Sequence, residues 1–185
     1  IVFRLKELQI YDQIKFEVID LMNSNNLADL LKKYKPMYFA HLGSQSSVEK
    51  SDKFKKLTQQ SNYEISKNII ENLEKYSKDT IFFFPSSATI YEGYRDKTVD
   101  ENTKPLPMTN YAISKYKTQQ LISTKKELQL NTGILFSHES EYRRSNFFSK
   151  KVIEFLTNYD LGKKESLKVG DIFIERDIGY AEEYV

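Results

Sequence analysis

Short apolar runs alternate with longer segments of helical periodicity through most of this chain. The run at residues 80–84 (TIFFF) is almost uniformly apolar, which is typical of a strand covered on both faces. Strands that alternate with helices favour an α/β fold with a doubly wound parallel sheet, in which ligands bind beyond the carboxyl ends of the strands. The predicted strands are residues 15–19, 37–42, 80–84 and 132–136. The predicted helices are residues 25–34, 52–76 and 110–128.

Composition and charge exclude several functional classes. The 185 residues are enough for one domain with a buried core, and 28 basic side chains balance 26 acidic ones. The lysines are scattered, so the sequence does not predict a nucleic-acid surface. The absence of cysteine excludes disulfides, thiolate metal sites and cysteine nucleophiles, and no metal site is predicted. No apolar run approaches bilayer length and the first residues do not form a signal peptide, so we expect a cytoplasmic protein without a membrane partner.

Tyr111 and Lys115 form a Tyr-x-x-x-Lys pattern within a predicted helix. Positions four apart share a helix face, so the phenol and the ammonium can converge. A nearby cation stabilises the phenolate and lowers the pKa of the tyrosine, which makes proton exchange with a sugar hydroxyl or ketone feasible. By itself the pattern is weak, because a chain rich in lysine and tyrosine also produces it by chance on a solvated helix face.

Ser87 lies just past the predicted strand at residues 80–84, where a hydroxyl can hydrogen-bond a substrate oxygen beside the tyrosine. Considered alone, it is also consistent with an ordinary serine-rich turn. The order strand, serine, loop and Tyr-x-x-x-Lys resembles the short-chain dehydrogenase/reductase superfamily. This resemblance implies a Rossmann-like NAD(P)-binding fold with Ser87, Tyr111 and Lys115 as its catalytic residues.

Further landmarks resemble the extended branch of this superfamily, and most closely the GDP-mannose 4,6-dehydratase family, from about residue 15 to the end. The most specific landmark is the segment at residues 133–140 (GILFSHES), because the family has a nearly identical run that ends in Asn-His-Glu-Ser. Arg143, Phe147, Lys150 and Lys151 continue the match. The other landmarks are Asp20 and Leu21 after the first predicted strand, residues 41–48 (HLGSQSSV) and residues 176–185 (RDIGYAEEYV).

The resemblance implies roles for particular residues. Tyr111 would be the acid/base, Lys115 would tune it and hold the nicotinamide ribose, and Ser87 would polarise the oxygen at sugar C4. The implied cofactor is NADP or NAD, and the implied substrate is a GDP-sugar, modified in polysaccharide biosynthesis by a homo-oligomer. The implied cofactor-binding residues are Asp20, Leu21, Leu42, Gly43, Ser44, Gln45, Ser46, Tyr111, Lys115, His138 and Arg143. The implied substrate-binding residues are Ser87, Ser137, Lys151 and Arg176.

Three departures from the family pattern leave the activity open. Thr89 stands where the dehydratases place a glutamate that helps to remove water across C5 and C6, and a hydroxyl cannot take a carbon-bound proton as a carboxylate does. Glu92 lies close in the sequence, with a different side-chain direction expected. Ser137 replaces the family's asparagine, and Leu57 falls where a cofactor-contacting tyrosine is usual. None of the six glycines forms the Gly-x-x-Gly-x-x-Gly loop that approaches a pyrophosphate.

These departures affect two predictions, the extent of the domain and the choice among three functional hypotheses. The lack of a glycine-rich loop predicts an N-terminally incomplete chain, because the first strand, the loop and the first helix should precede Lys15. Residues 1–185 are then expected to form a partial NAD(P)-binding domain, with the substrate-binding part starting at about residue 137.

The leading hypothesis is a GDP-mannose 4,6-dehydratase-like enzyme that oxidises the sugar at C4 through a bound nicotinamide. A sugar-nucleotide 4-epimerase or 4-keto reductase is the first alternative, and a non-catalytic remnant or paralogue is the second.

Overall fold

A computed structural model describes residues 2–94, 97–162, 166–175 and 177–184. The helices are α1 (Val2–Glu7), α2 (Ser24–Tyr34), α3 (Val48–Lys53), α4 (Lys55–Gln59), α5 (Ile65–Tyr76), α6 (Asn110–Thr124) and α7 (Phe148–Asp160). The strands are β1 (Tyr38–Ala40), β2 (Ile81–Ser87), β3 (Leu130–Leu135), β4 (Ser137–Glu139) and β5 (Ile178–Tyr180). Shorter elements are 3₁₀ turns at Tyr11–Gln13, Ala88–Tyr91 and Ala181–Tyr184, and a π-helical turn at Gln60–Glu64.

The chain divides into two compact units. One unit is Glu17–Leu135, and the other combines Ile1–Phe16 with Phe136–Val185. In the first unit β1, β2 and β3 form a parallel sheet in that order, and helices connect the strands because parallel neighbours require crossovers. The predicted α/β class with a parallel sheet is confirmed.

The core of the Glu17–Leu135 unit lies between its sheet and its helices. Phe82 and Phe84 occupy alternate positions of β2, so both face the same layer, and both are fully buried. Burying a side chain of this size contributes about 1.5–3 kcal/mol to folding. The other buried members of this cluster are Leu27, Leu31, Ile69, Ile70, Leu73, Ile122 and Leu128.

Helix α2 begins and ends as the sequence predicts for residues 25–34, to within one residue. The Asn23 side chain caps it by accepting hydrogen bonds from the backbone N–H groups of Asn25 and Asn26, at 3.0 and 3.2 Å. The helix stops at Lys35, whose φ of 41° is left-handed. These caps orient the helix so that Leu27 and Leu31 enter the core.

The predicted strand at residues 15–19 is wrong. Although this segment is rich in apolar residues, it pairs with no strand among the described residues. Val18 is fully exposed and Phe16 is half-exposed, so the segment gains neither a hydrogen-bonded ladder nor burial. A strand is stabilised by its neighbours, and apolar composition alone does not provide them.

The helical segment predicted at roughly residues 52–76 is helical over nearly all of that range, but it is not one regular α-helix. Phe54 has a non-helical φ of −121° and ψ of 53°, which separates α3 from α4. The π-helical turn then joins α4 to α5 and turns the Asn62 side chain into the interior. Such π turns inside helices are frequent at functional sites.

The second unit has its own small parallel sheet. Strand β4 pairs with β5 in the register Ser137 to Ile178 and Glu139 to Tyr180. The Tyr184 ring packs over Gly179 of β5, so any larger residue at this position would displace the end of the Tyr184 side chain. In neither unit does any described helix combine the length and the apolar character needed to cross a membrane.

Candidate active site

The carboxyl end of β2 presents a pair of hydroxyls. Ser87 is the last residue of the strand, with extended φ and ψ of −148° and 144°, and it caps the 3₁₀ turn that follows. Its Oγ accepts hydrogen bonds from the Thr89 backbone N–H at 3.3 Å and from the Thr89 hydroxyl at 3.0 Å. Because Ser87 Oγ accepts from Thr89, its own hydrogen is the one that bonds the Tyr111 hydroxyl oxygen.

Glu92 anchors the start of α6. Its carboxylate accepts a hydrogen bond from the backbone N–H of Met108 at 2.5 Å and another from the backbone N–H of Thr109. The Thr109 hydroxyl also donates to this carboxylate, at 3.3 Å. Thr109 Oγ1 in turn accepts a hydrogen bond from the Ala112 N–H and so caps the helix. Glu92 therefore holds the loop before the helix that carries Tyr111.

Lys115 is buried beneath this end of the sheet, with 3% of its surface exposed. Its Nζ donates to the Pro85 carbonyl at 2.8 Å and to Ser44 Oγ at 3.3 Å, and lies 4.8 Å from the centre of the Phe84 ring. Burial lowers the pKa of Lys115 to about 8. The ammonium thus joins β2 to the loop that follows β1.

Tyr111 lies on the same face of α6 as Lys115, and Lys115 Nζ is 5.8 Å from the centre of its ring. Burial raises the pKa of Tyr111, and a hydrogen bond with Ser87 opposes that effect. The expectation that the ammonium lowers this pKa is therefore wrong for the chain without bound ligands, because desolvation outweighs the other effects. The geometry does bring Ser87, Tyr111 and Lys115 together, as the sequence pattern predicts.

Sequence reasoning missed Asn62, which is fully buried in the π-helical turn. Its Oδ1 accepts from the Gln45 N–H at 2.9 Å, and its Nδ2 donates to the Gln45 carbonyl at 3.0 Å. The same Nδ2 donates to the Ser114 hydroxyl at 3.1 Å, one position before Lys115. Asn62 thereby ties the loop after β1 to the helix that carries Tyr111 and Lys115. An asparagine within a helical pattern is the only sequence signal for it.

Replacing Asn62 with Ala should lower the free energy of unfolding by about 2–4 kcal/mol, because the Gln45 backbone groups and the Ser114 hydroxyl lose a buried partner. Urea denaturation measures this change. The control is Asn131→Ala at an exposed position of β3, which should change the value by no more than about 0.5 kcal/mol. Equal effects of the two substitutions would contradict the positioning role of Asn62.

The remaining predicted cofactor residues of the first unit lie in two loops. Asp20 is exposed, and its Oδ1 accepts from the Met22 N–H at 2.9 Å. Leu21 packs against the core, and its carbonyl accepts from Asn68 Nδ2 at 2.6 Å. In the loop after β1, Leu42 is exposed and Ser44 accepts a hydrogen bond from Lys115. The other predicted cofactor residues of this loop are Gly43, Gln45 and Ser46.

The second unit carries the remaining predicted site residues. Ser137 and His138 lie in β4, where His138 Nδ1 is 3.0 Å from the Phe136 carbonyl oxygen. Lys151 is exposed on α7, and Arg176 lies outside the described residues.

Arg143 borders a cavity of about 340 Å³ in this second unit. Its Nε lies 3.1 Å from a Glu139 carboxylate oxygen, an ion-pair distance without hydrogen-bond alignment. Its guanidinium carbon lies 3.6 Å from the centre of the Phe147 ring. Glu139 also accepts a hydrogen bond from Ser149 Oγ at 2.7 Å. The positive charge of Arg143 is therefore paired with the Glu139 carboxylate of the same unit.

Comparison with known proteins identifies the family by sequence. The sequence model of the GDP-mannose 4,6 dehydratase family matches residues 2–185. A GDP-mannose 4,6-dehydratase of Vibrio cholerae is 29% identical over 171 residues, which cover 90% of this chain and 46% of that protein. The chain spans about half the length of the curated relatives it matches.

Solved structures share the fold. RMD of Pseudomonas aeruginosa superimposes with a TM-score of 0.81 at 22% identity, over 97% of this chain and 64% of that one. A dTDP-glucose 4,6-dehydratase of Streptomyces venezuelae gives a TM-score of 0.81 at 15% identity, over 98% and 55% of the two chains. At these identities the likeness establishes a Rossmann-like fold, as predicted. Since the family model matches almost every residue, the chain belongs to the GDP-mannose 4,6 dehydratase family.

Proposed function

We propose that this protein exchanges hydride between a nicotinamide dinucleotide and C4 of a nucleotide sugar. The observation that carries the proposal is the convergence of Ser87, Tyr111 and Lys115 beyond the carboxyl end of β2. In doubly wound sheets, ligands bind beyond this end of the strands. A donor hydroxyl, a titratable phenol and a buried cation at one point match proton transfer at a sugar oxygen.

The comparisons support the choice of ligands. The Pseudomonas aeruginosa structure is a complex with NADPH, and the Streptomyces venezuelae structure contains NAD. The names of the relatives specify nucleotide sugars, with GDP-mannose in the Vibrio cholerae protein. The choice between NADP and NAD, and the preference for a GDP-sugar, are parts of the proposal that a binding experiment decides.

The residues of the site fit the nicotinamide–ribose end of a dinucleotide. A lysine ammonium has three hydrogens, and two of those on Lys115 bond Pro85 and Ser44, which leaves one for a ribose hydroxyl. No Gly-x-x-Gly-x-x-Gly pattern occurs in the sequence, so binding of the pyrophosphate needs a direct measurement. When bound, the nicotinamide accepts and returns the hydride, while the chain positions the sugar and moves the proton.

The proposed roles follow from the hydrogen bonds. Thr89 donates to Ser87, and the hydrogen of Ser87 bonds Tyr111 in the protein alone; a sugar oxygen at C4 that enters between the two side chains would accept that hydrogen in place of the phenol. Tyr111, which hydrogen-bonds Ser87, receives the proton of the sugar hydroxyl at C4 during oxidation and returns it to the C4 oxygen during reduction. Lys115 supplies the positive charge that stabilises the phenolate as it forms.

Redox chemistry at C4 without loss of water is the outcome that the site favours. The dehydratase glutamate is replaced by Thr89, whose hydroxyl bonds Ser87, and Glu92 is bound to the backbone before α6. Neither group supplies a carboxylate base for the proton on C5. We therefore place a 4-epimerase or 4-keto reductase reaction ahead of complete 4,6-dehydration.

Mass spectrometry of the products tests this ranking. The purified protein is incubated with NADP or NAD and with GDP-mannose or UDP-glucose, and its products are compared with those of Thr89→Glu. We expect very slow loss of water with the natural chain, and water loss at least about 100-fold faster after the substitution, since a general base contributes at least this factor. Thr89→Gln, similar in size but without acid–base capacity, is the control.

Rapid dehydration by the natural chain would reverse the ranking. Failure to bind any dinucleotide and to turn over any nucleotide sugar would favour the non-catalytic paralogue.

The two compact units motivate a domain proposal as well. We propose that Glu17–Leu135 serves the dinucleotide, and that the part of the chain from about residue 137 belongs to the substrate-binding part. A cytoplasmic homo-oligomer is the corresponding proposal for the assembled protein. Light scattering of the purified protein measures its oligomeric state.

A further inference from the structure

His41 follows β1 and lies beside the buried lysine. Its backbone N–H donates to the Phe83 carbonyl at 3.0 Å, which continues the β1–β2 ladder beyond the pairing of Ala40 with Phe83. The next step in this register sets His41 next to Phe84. Since Phe84 faces the Lys115 ammonium at 4.8 Å, His41 and Lys115 share one face of the sheet.

The His41 imidazole is buried and lacks a partner for one nitrogen. Only 4% of the residue is exposed, and Nε2 makes no hydrogen bond with any residue that the structure describes. Burial, with a smaller contribution from the charge on Lys115, lowers the pKa of His41 to about 4, so the ring is neutral near pH 7. Leaving such a group unsatisfied is unfavourable, because the nitrogen has lost its hydrogen bonds to water without replacing them.

The ring also lies near the loop that runs past Lys115. A Cβ atom added to Gly43 would lie 3.9 Å from His41 Cε1, which places the imidazole against this part of the loop. One residue further on, Ser44 accepts a hydrogen bond from Lys115 Nζ. The unsatisfied nitrogen therefore belongs to the same neighbourhood as the group proposed to hold a ribose hydroxyl.

We propose that His41 Nε2 hydrogen-bonds a hydroxyl or amide group of the nicotinamide–ribose end when the dinucleotide binds. The inference rests on the proposed function and adds a binding residue to it. A neutral imidazole suits an uncharged polar group, because it donates or accepts through Nε2 according to its tautomer. Binding would then satisfy a nitrogen that the protein alone leaves without a partner.

Nitrogen NMR of the two histidines observes this bond directly. The sequence contains only His41 and His138, so ¹⁵N-histidine labelling gives two sets of ring signals, and His138→Gln assigns them. Addition of NADP or NAD should shift the Nε2 signal of His41. A shift caused by a nucleotide sugar alone, with none caused by dinucleotide, would assign the nitrogen to the sugar substrate and overturn the proposal.

Calorimetric titration supplies the second readout. His41→Phe should raise the Kd for the dinucleotide about tenfold, whereas His41→Asn, which keeps a donor and an acceptor, should retain part of the affinity. Thr58→Val is the matched control, because Thr58 Oγ1 is another buried atom without a partner among the described residues. Its substitution should leave the Kd unchanged.

The outcomes separate the inference from the proposed function. A natural chain that binds no dinucleotide overturns both. A chain that binds dinucleotide with unmoved His41 signals and with an unchanged Kd in His41→Phe overturns the inference alone. If His41→Phe does not fold, the signals of the natural chain and the Kd of His41→Asn still decide the matter.

Discussion

Replacing Tyr111 with Phe should lower kcat for the proposed C4 redox reaction by about 100- to 10,000-fold, the range that general acid–base groups contribute. Phe keeps the ring and removes only the hydroxyl that exchanges the proton. In the folded chain this hydroxyl bonds Ser87, so the substitution removes the titratable group that the site places beside Ser87. Steady-state rates of nucleotide-sugar conversion, together with the Kd of the dinucleotide, measure the effect.

Tyr116→Phe on the same helix is the control for this prediction. Tyr116 is partly buried on α6 but lies outside the group formed by Ser87, Tyr111 and Lys115, so its substitution should leave kcat within a factor of about two. A comparable loss in both variants would mean that α6 is disturbed as a whole. An unchanged rate in Tyr111→Phe would remove the phenol from the mechanism.

Replacing Lys115 with Met should change how stability depends on pH. Lowering the pKa of Lys115 from its ordinary 10.5 to about 8 corresponds to about 3 kcal/mol of destabilisation at neutral pH. Below pH 8 the lysine is charged in both the folded and the unfolded states, so the whole penalty is present. Between pH 8 and 10.5 the folded chain releases this proton first, and stability rises with pH until the penalty disappears.

The difference between the natural chain and Lys115→Met isolates this contribution from other groups that titrate at high pH. Denaturation in urea from pH 7 to pH 11 should give a difference that changes by about 3 kcal/mol across that window. The size of the difference in unfolding free energy at any one pH also includes the lost hydrogen bond to the Pro85 carbonyl. Only the change of this difference with pH therefore reports on the Lys115 pKa. Lys117→Met, at an exposed position of α6, should lack this slope. A flat difference for Lys115→Met would show that the ammonium is solvated.

Several features of the fold were predictable because they depend on local periodicity. The helix of Tyr111 and Lys115 begins at residue 110 as predicted, and both side chains share a face because they are four residues apart. The apolar run at residues 80–84 forms the central strand between two parallel neighbours. The segment at residues 15–19 also contains three apolar residues but forms no strand, because pairing depends on residues that its own sequence does not specify.

The sequence by itself determined the family, the parallel α/β arrangement and the grouping of Ser87, Tyr111 and Lys115. Each of these depends on short residue patterns and on the order in which they follow one another along the chain. Only the tertiary structure decided how these groups are tuned. The contact of Lys115 with Ser44 joins residues 71 positions apart, and the inward turn of Asn62 meets Ser114 across 52 positions. Burial then sets the pKa values, since desolvation depends on everything that packs around a side chain and not on its neighbours in sequence.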